Sequence, residues 1–310
     1  MAAGTDGRSS ASVLVTDMDN TLFDWLAMWQ AAFGAMLDRL VADSGVPRAT
    51  LEAELYAIHQ RHGTTEYAFA IQELPSLRAR HPPRADSNAE DADLPTRYAA
   101  AIDAYRVMRR RTLTLYPGVR DTLRAVRAAG ALVIAYTESR AYYADYRVRT
   151  LELDGALDYL YSLPDHALPD GLTASQIRRY PPEHYRLRST VHRHTREGAW
   201  KPDASVLRGI LGDVGAEPAE TVYVGDSLVK DVAMAQAAGV VDVFARYGDV
   251  RSRPGYDVLR RVTHWTPAMM ARSEGIREAD VRPTHVLGEG FAELLDHVEF
   301  RRFTPPATGR

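Results

Sequence analysis

Apolar residues follow two different spacings along this chain, and each spacing predicts one kind of element. Short apolar runs that end abruptly at polar residues predict buried strands, whereas apolar residues three or four positions apart predict helices. The predicted strands lie at 13–16, 131–136, 155–161, 221–224, 241–245 and 284–287. Helical spacing fills most of the segments between them. Strands that alternate with helices predict an α/β fold, in which helices cover both faces of a Rossmann-like parallel sheet.

The segment from Leu22 to Leu113 shows only the helical spacing. Helices are expected there at 25–41, 48–62, 64–74 and 95–111, with an exposed loop at 80–95. We therefore expect a core domain of residues 12–22 and 115–310, an inserted all-helical domain of residues 23–114, and a disordered tail of residues 1–11. The segment 62–67 is either a plain helix–helix turn or a loop that contacts substrate, and both interpretations stay open.

Composition excludes several classes of function. The 310 residues are 45% hydrophobic and 25% charged, as in ordinary globular proteins. A formal net charge of -3 gives no reason to expect a nucleic-acid or membrane partner. The sequence contains no cysteine, which excludes disulfides, thiol nucleophiles and zinc–thiolate sites and favours a cytoplasmic protein. We expect no transmembrane helix, because no apolar run reaches about 18 residues. We expect no signal peptide, because residues 1–12 are small and polar and lack the basic-then-apolar layout of such a peptide.

Two stretches, 165–198 and 249–282, have too little periodicity for an assignment. Residues 175–201 carry seven basic side chains against two acidic ones, a local charge of +5. The stretch is either a solvated basic loop or a surface that attracts anionic substrate.

Polar residues follow the predicted strands at the points where those strands end. They are Asp17, Asp19 and Thr21, then Thr137 and Glu138, and finally Asp226 and Asp231. In an open parallel sheet, these ends meet at the edge where ligands bind. Lys201 opens a helix and is one of only two lysines among 38 basic residues, the other being Lys230. Where arginine is the default, a retained lysine suggests that a compact ammonium is needed, although two lysines can also fall anywhere by chance. Lys230 is expected to face solvent.

Asp17 and Asp19 lie two positions apart at a strand end, so their side chains are expected to point into the same space. Two carboxylates that close repel each other unless they share a cation or a proton. Such a pair suits Mg²⁺ and a reaction in which one carboxylate attacks while the other moves protons. A pair of this kind also occurs in simple turns and helix caps, so the pair alone leaves both interpretations open.

Together these residues resemble the four motifs of the haloacid dehalogenase-like superfamily. The motifs are Asp17-Met18-Asp19-Asn20-Thr21, then Thr137, then Lys201, and then Asp226 with Asp231. The resemblance implies a core of that fold with an inserted helical cap (C1 type). It implies Asp17 as nucleophile, Asp19 as general acid and base, and Lys201 as a positive charge on nucleophile and phosphate.

The resemblance also implies ligand sets. Phosphate would be bound by Thr21, Thr137 and Glu138, and Mg²⁺ by Asp17, Asp226 and the backbone carbonyl of Asp19, with Asp231 orienting the lysine or the metal waters. Thr137 could instead cap the following helix, and Asp231 could be an ordinary surface carboxylate.

The second aspartate favours phosphate transfer, because superfamily members that cleave carbon–halogen bonds lack a carboxylate at the position of Asp19. Capped members usually act on small phosphorylated metabolites. The resemblance therefore implies a Mg²⁺-dependent phosphatase that hydrolyses a phosphate monoester through an aspartyl-phosphate. The alternatives are a phosphosugar mutase of the same fold and a non-catalytic module that senses phosphate or binds a partner. A phosphonate hydrolase would need a lysine in the cap, and residues 23–114 contain none.

Overall fold

The chain divides into two compact units. The computed structural model describes residues 8–81, 94–169, 173, 180–251, 253–266 and 280–305. The first unit, the sheet unit, comprises Met1–Asp24, Thr114–Asp249 and Gly275–Arg310. The second, the helical unit, comprises Trp25–Leu113 and Val250–Glu274. Within the described ranges, we find no helix with the length and apolar character needed to cross a membrane.

A seven-stranded parallel sheet forms the centre of the sheet unit. The strands of the chain are β1 (Ser9–Ala11), β2 (Val13–Thr16), β3 (Leu132–Arg140), β4 (Tyr159–Leu163), β5 (Val191–His194), β6 (Thr221–Gly225), β7 (Val241–Ala245), β8 (His285–Leu287) and β9 (Val298–Phe300). The order in the large sheet is β5-β4-β3-β2-β6-β7-β8, while β1 and β9 form a separate parallel pair. All four residues of β2 are buried, as expected for a central strand covered on both faces. The predicted α/β fold with a parallel sheet is confirmed.

The helices separate cleanly between the two units. In chain order they are α1 (Trp25–Ser44), α2 (Arg48–His62), α3 (Ala70–Glu73), α4 (Pro75–Arg80), α5 (Leu94–Arg97), α6 (Ala99–Thr112), α7 (Val119–Ala128), α8 (Ala141–Thr150), α9 (Ala204–Val214), α10 (Ala233–Ala238), α11 (Tyr256–Val262) and α12 (Leu294–His297). Helices α1–α6 and α11 belong to the helical unit, and the others belong to the sheet unit.

The sequence of helix α9 explains where the helix begins and ends and which side packs on the sheet. Asp203 caps its first turn by accepting a hydrogen bond from the Ser205 backbone N–H at 2.9 Å. The helix ends at Gly215, which has the left-handed φ of 69° that glycine adopts without strain. The buried side of α9, at Leu207 and Ile210, packs in one apolar cluster with residues of β2, β3 and β6. This packing holds the segment that begins at Lys201 against the central strands.

The helical unit has its own apolar core. Trp29 and Phe33 of α1 are buried together with Leu55 of α2, and the Trp29 and Phe33 rings stack with centroids 4.7 Å apart. The helix α11 joins this core, since His59 Nδ1 lies 2.6 Å from the backbone oxygen of Val262. The helical unit therefore includes a segment that is distant in sequence from α1–α6.

The structure corrects several boundaries. Residues 9–11, expected in a disordered tail, form β1, while residues 1–7 lie outside the described residues. The core domain was expected to run without interruption from 115 to 310, but Val250–Glu274 belongs to the helical unit. The third predicted helix, 64–74, shortens to α3. Most of the predicted loop at 80–95 is outside the described residues, and the stretch 165–198 contains β5.

Candidate active site

The first motif forms a tight turn at the carboxyl end of β2. The Asp17 backbone N–H donates to the Val224 carbonyl at 2.8 Å, so sheet pairing holds the aspartate itself. Asn20 then adopts a left-handed φ of 60°, which asparagine tolerates better than most residues. The Thr21 hydroxyl consequently donates to Asp17 Oδ2 at 3.1 Å. Thr21 was expected to bind phosphate, and in this structure its hydroxyl fixes the Asp17 carboxylate.

Lys201 makes the strongest charged contacts of the site. Its ammonium lies 2.5 Å from Asp17 Oδ1 and 2.9 Å from Asp231 Oδ1, and its side chain is only 3% exposed. The rings of Tyr136 and Tyr223 flank it at 4.9 Å and 5.6 Å. Burial acts to lower the pKa of Lys201, but the two aspartates outweigh burial and raise that pKa well above its usual range. The ammonium is therefore held charged against Asp17.

Asp231 is buried and saturated with donors. Its Oδ1 accepts from Lys201 and from the Tyr223 hydroxyl at 2.9 Å, and its Oδ2 accepts from the Ser227 backbone N–H at 3.1 Å. A Cβ added at Gly225 would come within 2.3 Å of the Asp231 side chain, so only glycine permits this approach. This carboxylate is no surface group, and its contacts suit a residue that orients Lys201.

Asp19 turns away from Lys201 and toward the end of β3. Its Oδ2 accepts from Ser139 Oγ at 2.8 Å and, more weakly, from Thr137 Oγ1 at 3.4 Å. Its Oδ1 lies 3.3 Å from a guanidinium nitrogen of Arg147. These contacts bind the Asp19 side chain, which nevertheless remains 24% exposed to solvent. Thr137 is thus placed beside Asp19.

Glu138 does not present its side chain to an anion. Its Oε1 accepts from the Lys201 backbone N–H at 2.6 Å, and its Oε2 from Lys230 Nζ at 2.7 Å. An ionised carboxylate only accepts hydrogen bonds and repels phosphate, so any phosphate contact at this position falls to the backbone. Lys230, expected to face solvent, is 26% exposed and paired with Glu138. Both lysines of the chain therefore converge on this edge of the sheet.

The order of these residues along the chain agrees with a known family. The family model for haloacid dehalogenase-like hydrolases matches residues 11–239, which include every residue of the predicted site. The chain belongs to this family.

Two relatives bear on the family assignment. A phosphoglycolate phosphatase from Pseudomonas putida is 27% identical over 243 residues, covering 78% of this chain and 72% of that protein. Among solved structures, a 2-haloacid dehalogenase from Pseudomonas syringae superposes with a TM-score of 0.52 at 17% identity, covering 92% of this chain and 97% of the other. At 17% identity, the Pseudomonas syringae structure supports only the fold and not the activity of this chain.

The carboxylates of this family member fit a divalent cation. Asp17, Asp226 and Asp231 place one oxygen each within 4.8 Å of one another. Since Asp231 is saturated with donors, Asp17 and Asp226 are the candidate ligands. Burial raises the pKa of Asp226 well above its usual range, helped by the nearby Asp17 charge. Burial also raises the pKa of Asp17 to about 7, although Lys201 acts against it. Such a pair is stabilised by a proton or a cation, and carboxylate oxygens suit Mg²⁺.

Sequence reasoning missed three contributors to this hydrolase site. Ser139 and Arg147 both contact Asp19, and the Tyr223 hydroxyl contacts Asp231. Ser139 could have been predicted from the sequence, because it lies two positions after Thr137 on the same strand end. Arg147 could not have been predicted, since it is one of 36 arginines and lies well within α8.

Two arginines of the basic stretch before Lys201 are held by neighbouring side chains. Arg193 contacts the Tyr161 hydroxyl at 3.2 Å, and its guanidinium lies 4.8 Å from the Tyr159 ring centroid. Arg196 pairs with Asp203 at 2.9 Å. For both arginines, these contacts favour a solvated basic loop over a surface that attracts anionic substrate.

Proposed function

We propose that this chain is a Mg²⁺-dependent phosphatase that hydrolyses a phosphate monoester of a small metabolite through an aspartyl-phosphate. The observation that carries the proposal is Asp19, an accessible carboxylate two positions from Asp17 and held on its inner side by Ser139 and Arg147. An ester oxygen leaves readily only if it receives a proton, whereas a halide needs none. A positioned second carboxylate is therefore what phosphate transfer needs and dehalogenation does not.

In the proposed reaction, an Asp17 carboxylate oxygen attacks phosphorus as the bond to the leaving oxygen breaks. Asp19 donates its proton to that oxygen and later removes a proton from the water that hydrolyses the intermediate. Lys201 keeps the Asp17 carboxylate oriented and places positive charge beside the transferring group. Asp17 and Asp226 would hold Mg²⁺, which when bound would supply further neutralisation of the phosphoryl oxygens.

The Pseudomonas putida relative supports the substrate class. It is a phosphoglycolate phosphatase, and its similarity extends over 78% of this chain. We therefore propose that the substrate is a small phosphorylated metabolite, and phosphoglycolate is the first compound to test.

The proposal is tested by assaying the purified protein with p-nitrophenyl phosphate, with Mg²⁺ and after EDTA treatment. We expect turnover that depends on Mg²⁺ and is restored when the ion is returned. A parallel assay with a 2-haloacid should release no halide. Halide release without phosphate release would contradict the proposal, as would phosphate release that EDTA leaves unchanged.

A further inference from the structure

We propose that Arg147 and Ser139 are positioning residues for Asp19, which together hold its carboxyl group in the orientation in which it meets the leaving group. The inference rests on the proposed phosphatase function and adds two residues to it. Arg147 lies on α8 and is 2% exposed, so it cannot meet substrate itself. Its influence on the reaction must pass through the groups that it contacts.

Two hydrogen bonds in series join Arg147, Ser139 and Asp19. An Arg147 N–H donates to Ser139 Oγ at 2.6 Å, and Ser139 Oγ donates to Asp19 Oδ2 at 2.8 Å. Arginine has donors and no acceptor, so the direction of the first hydrogen bond is fixed. The serine hydroxyl accepts from Arg147 with one of its two lone pairs and donates its hydrogen to Asp19. Arg147 also lies 3.3 Å from Asp19 Oδ1, so both carboxylate oxygens face donors on their inner side.

This arrangement limits how the Asp19 carboxyl group can turn. Its Oδ2 accepts from Ser139, and its Oδ1 is buried beside the Arg147 guanidinium at 3.3 Å. The part of the side chain that remains exposed, 24%, is therefore presented in one orientation. A carboxyl group that is already oriented needs no rearrangement when the leaving oxygen arrives, which is the advantage of preorganisation.

Aromatic rings hold the guanidinium in place. The Arg147 guanidinium carbon lies 5.6 Å from the centroid of the Phe23 ring and 5.9 Å from that of Tyr143. Stacking on such faces suits the planar arginine group and is poorly reproduced by a lysine ammonium. Phe23 follows the first motif, so this packing connects α8 with the turn that carries Asp19.

The test compares two esters that differ in how much they need an acid. Phenyl phosphate and p-nitrophenyl phosphate have similar shapes, but nitrophenolate is the weaker base and leaves without full protonation. Arg147→Lys and Ser139→Ala should lower kcat/KM for phenyl phosphate about tenfold or more, since a general acid contributes roughly 10²–10⁴-fold. The loss for p-nitrophenyl phosphate should stay below about threefold, because that ester depends little on Asp19.

Arg140→Lys is the matched control. Arg140 is also a buried arginine, at the end of β3, but it contacts Glu197 at 2.7 Å and the Pro164 carbonyl at 3.1 Å. Its replacement should change both esters by the same small factor. Ser139→Ala removes one oxygen atom, so it decides the question if thermal unfolding shows that Arg147→Lys is not folded.

A double-variant cycle checks the route of the effect. In an Asp19→Ala background, Arg147→Lys or Ser139→Ala should cause no further loss on phenyl phosphate, because their effect passes through Asp19. Equal losses on the two esters, or additive losses with Asp19→Ala, would overturn the inference while leaving the phosphatase proposal standing. A wild-type protein that hydrolyses neither ester would overturn both proposals.

Discussion

Two carboxylate clusters, one in each unit, show what distinguishes a candidate catalytic group from a structural one. In the helical unit, Glu73 accepts from the Tyr67 hydroxyl at 2.9 Å, from His62 at 3.0 Å and from Arg61 at 2.5 Å. Burial acts to raise the pKa of Glu73, but the donors, led by His62 and Tyr67, outweigh burial and lower it. In the sheet unit, burial raises the pKa of Asp17 and Asp226, and the charges of neighbouring carboxylates raise the pKa of both further.

The difference lies in burial and in the charges of the neighbouring groups. A partly exposed carboxylate surrounded by donors is stable as an anion and serves the fold. Deeply buried carboxylates that repel one another need a shared proton or cation, and such perturbed groups cluster at functional sites. Tyr67 also stacks on the His62 ring at 3.6 Å. These contacts favour the helix–helix turn over the substrate-contacting loop for residues 62–67.

The largest expected effect is at the nucleophile. Asp17→Asn should remove more than about 99% of kcat, since an amide cannot attack phosphorus and the loss should exceed a typical acid–base contribution. The measurement is steady-state hydrolysis of p-nitrophenyl phosphate with Mg²⁺. Activity above about one hundredth of wild type would refute the assignment of Asp17.

Asp226→Asn should come next. Removing one of two candidate charged ligands should raise the Mg²⁺ concentration for half-maximal activity by about tenfold or more, because a hard cation depends on carboxylate charge. A Mg²⁺ titration of activity measures it, and Glu73→Gln serves as the control with an unchanged titration. An Asp226→Asn curve that overlays wild type would remove this residue from the metal site.

The third expected effect is a dependence of stability on pH in the helical unit. Burial lowers the pKa of His59 to about 4. The pKa of histidine in the unfolded chain is about 6.5, so between about pH 4 and 6.5 the unfolded chain binds a proton that the folded chain does not. The contribution of His59 to the free energy of unfolding is therefore complete above about pH 6.5 and is lost as the pH falls toward about 4. From pH 7.5 to 5.0, wild type should lose about 2 kcal/mol more unfolding free energy than His59→Gln. Urea unfolding followed by tryptophan fluorescence measures this difference, and parallel curves would contradict it.

The smallest expected effect is at Glu73. Glu73→Gln should lower the free energy of unfolding by about 1–2 kcal/mol, since hydrogen bonds to a charged group are weakened and not all lost. Its kcat should stay within about twofold of wild type. A large loss of kcat with intact stability would mean that the cluster of Glu73, Tyr67 and His62 takes part in the reaction.

The sequence predicted the parallel sheet and the residues at its carboxyl edge because both depend on local pattern. Apolar runs identified β2, β3 and β6, and the polar residue after each run identified Asp17, Thr137 and Asp226. The structure brings Asp17, Lys201, Asp226 and Asp231 together and places Thr137 beside Asp19. Their catalytic roles stay predictions for the experiments above.

The rest depends on contacts that no local pattern encodes. Whether Glu138 faces phosphate or a lysine depends on Lys230, 92 residues away. Arg147 is indistinguishable in the sequence from Arg149, which lies two positions along the same helix and is directed to the Tyr185 ring. The helix α11 joins the helical unit through contacts such as that of His59 with Val262, 203 residues apart. In each case a polar side chain turns inward because a distant segment supplies its partner.

The pairing of β1 with β9 has a consequence for synthesis on the ribosome. Ser9 lies opposite Val298, so the backbone groups of β1 meet those of β9 only after the whole of the intervening chain has been synthesised. At the usual 5–20 residues per second, that interval is roughly 15–60 seconds. During this time β1 lacks the strand that it pairs with in the folded chain. A chain that ended before Val298 would never gain that strand.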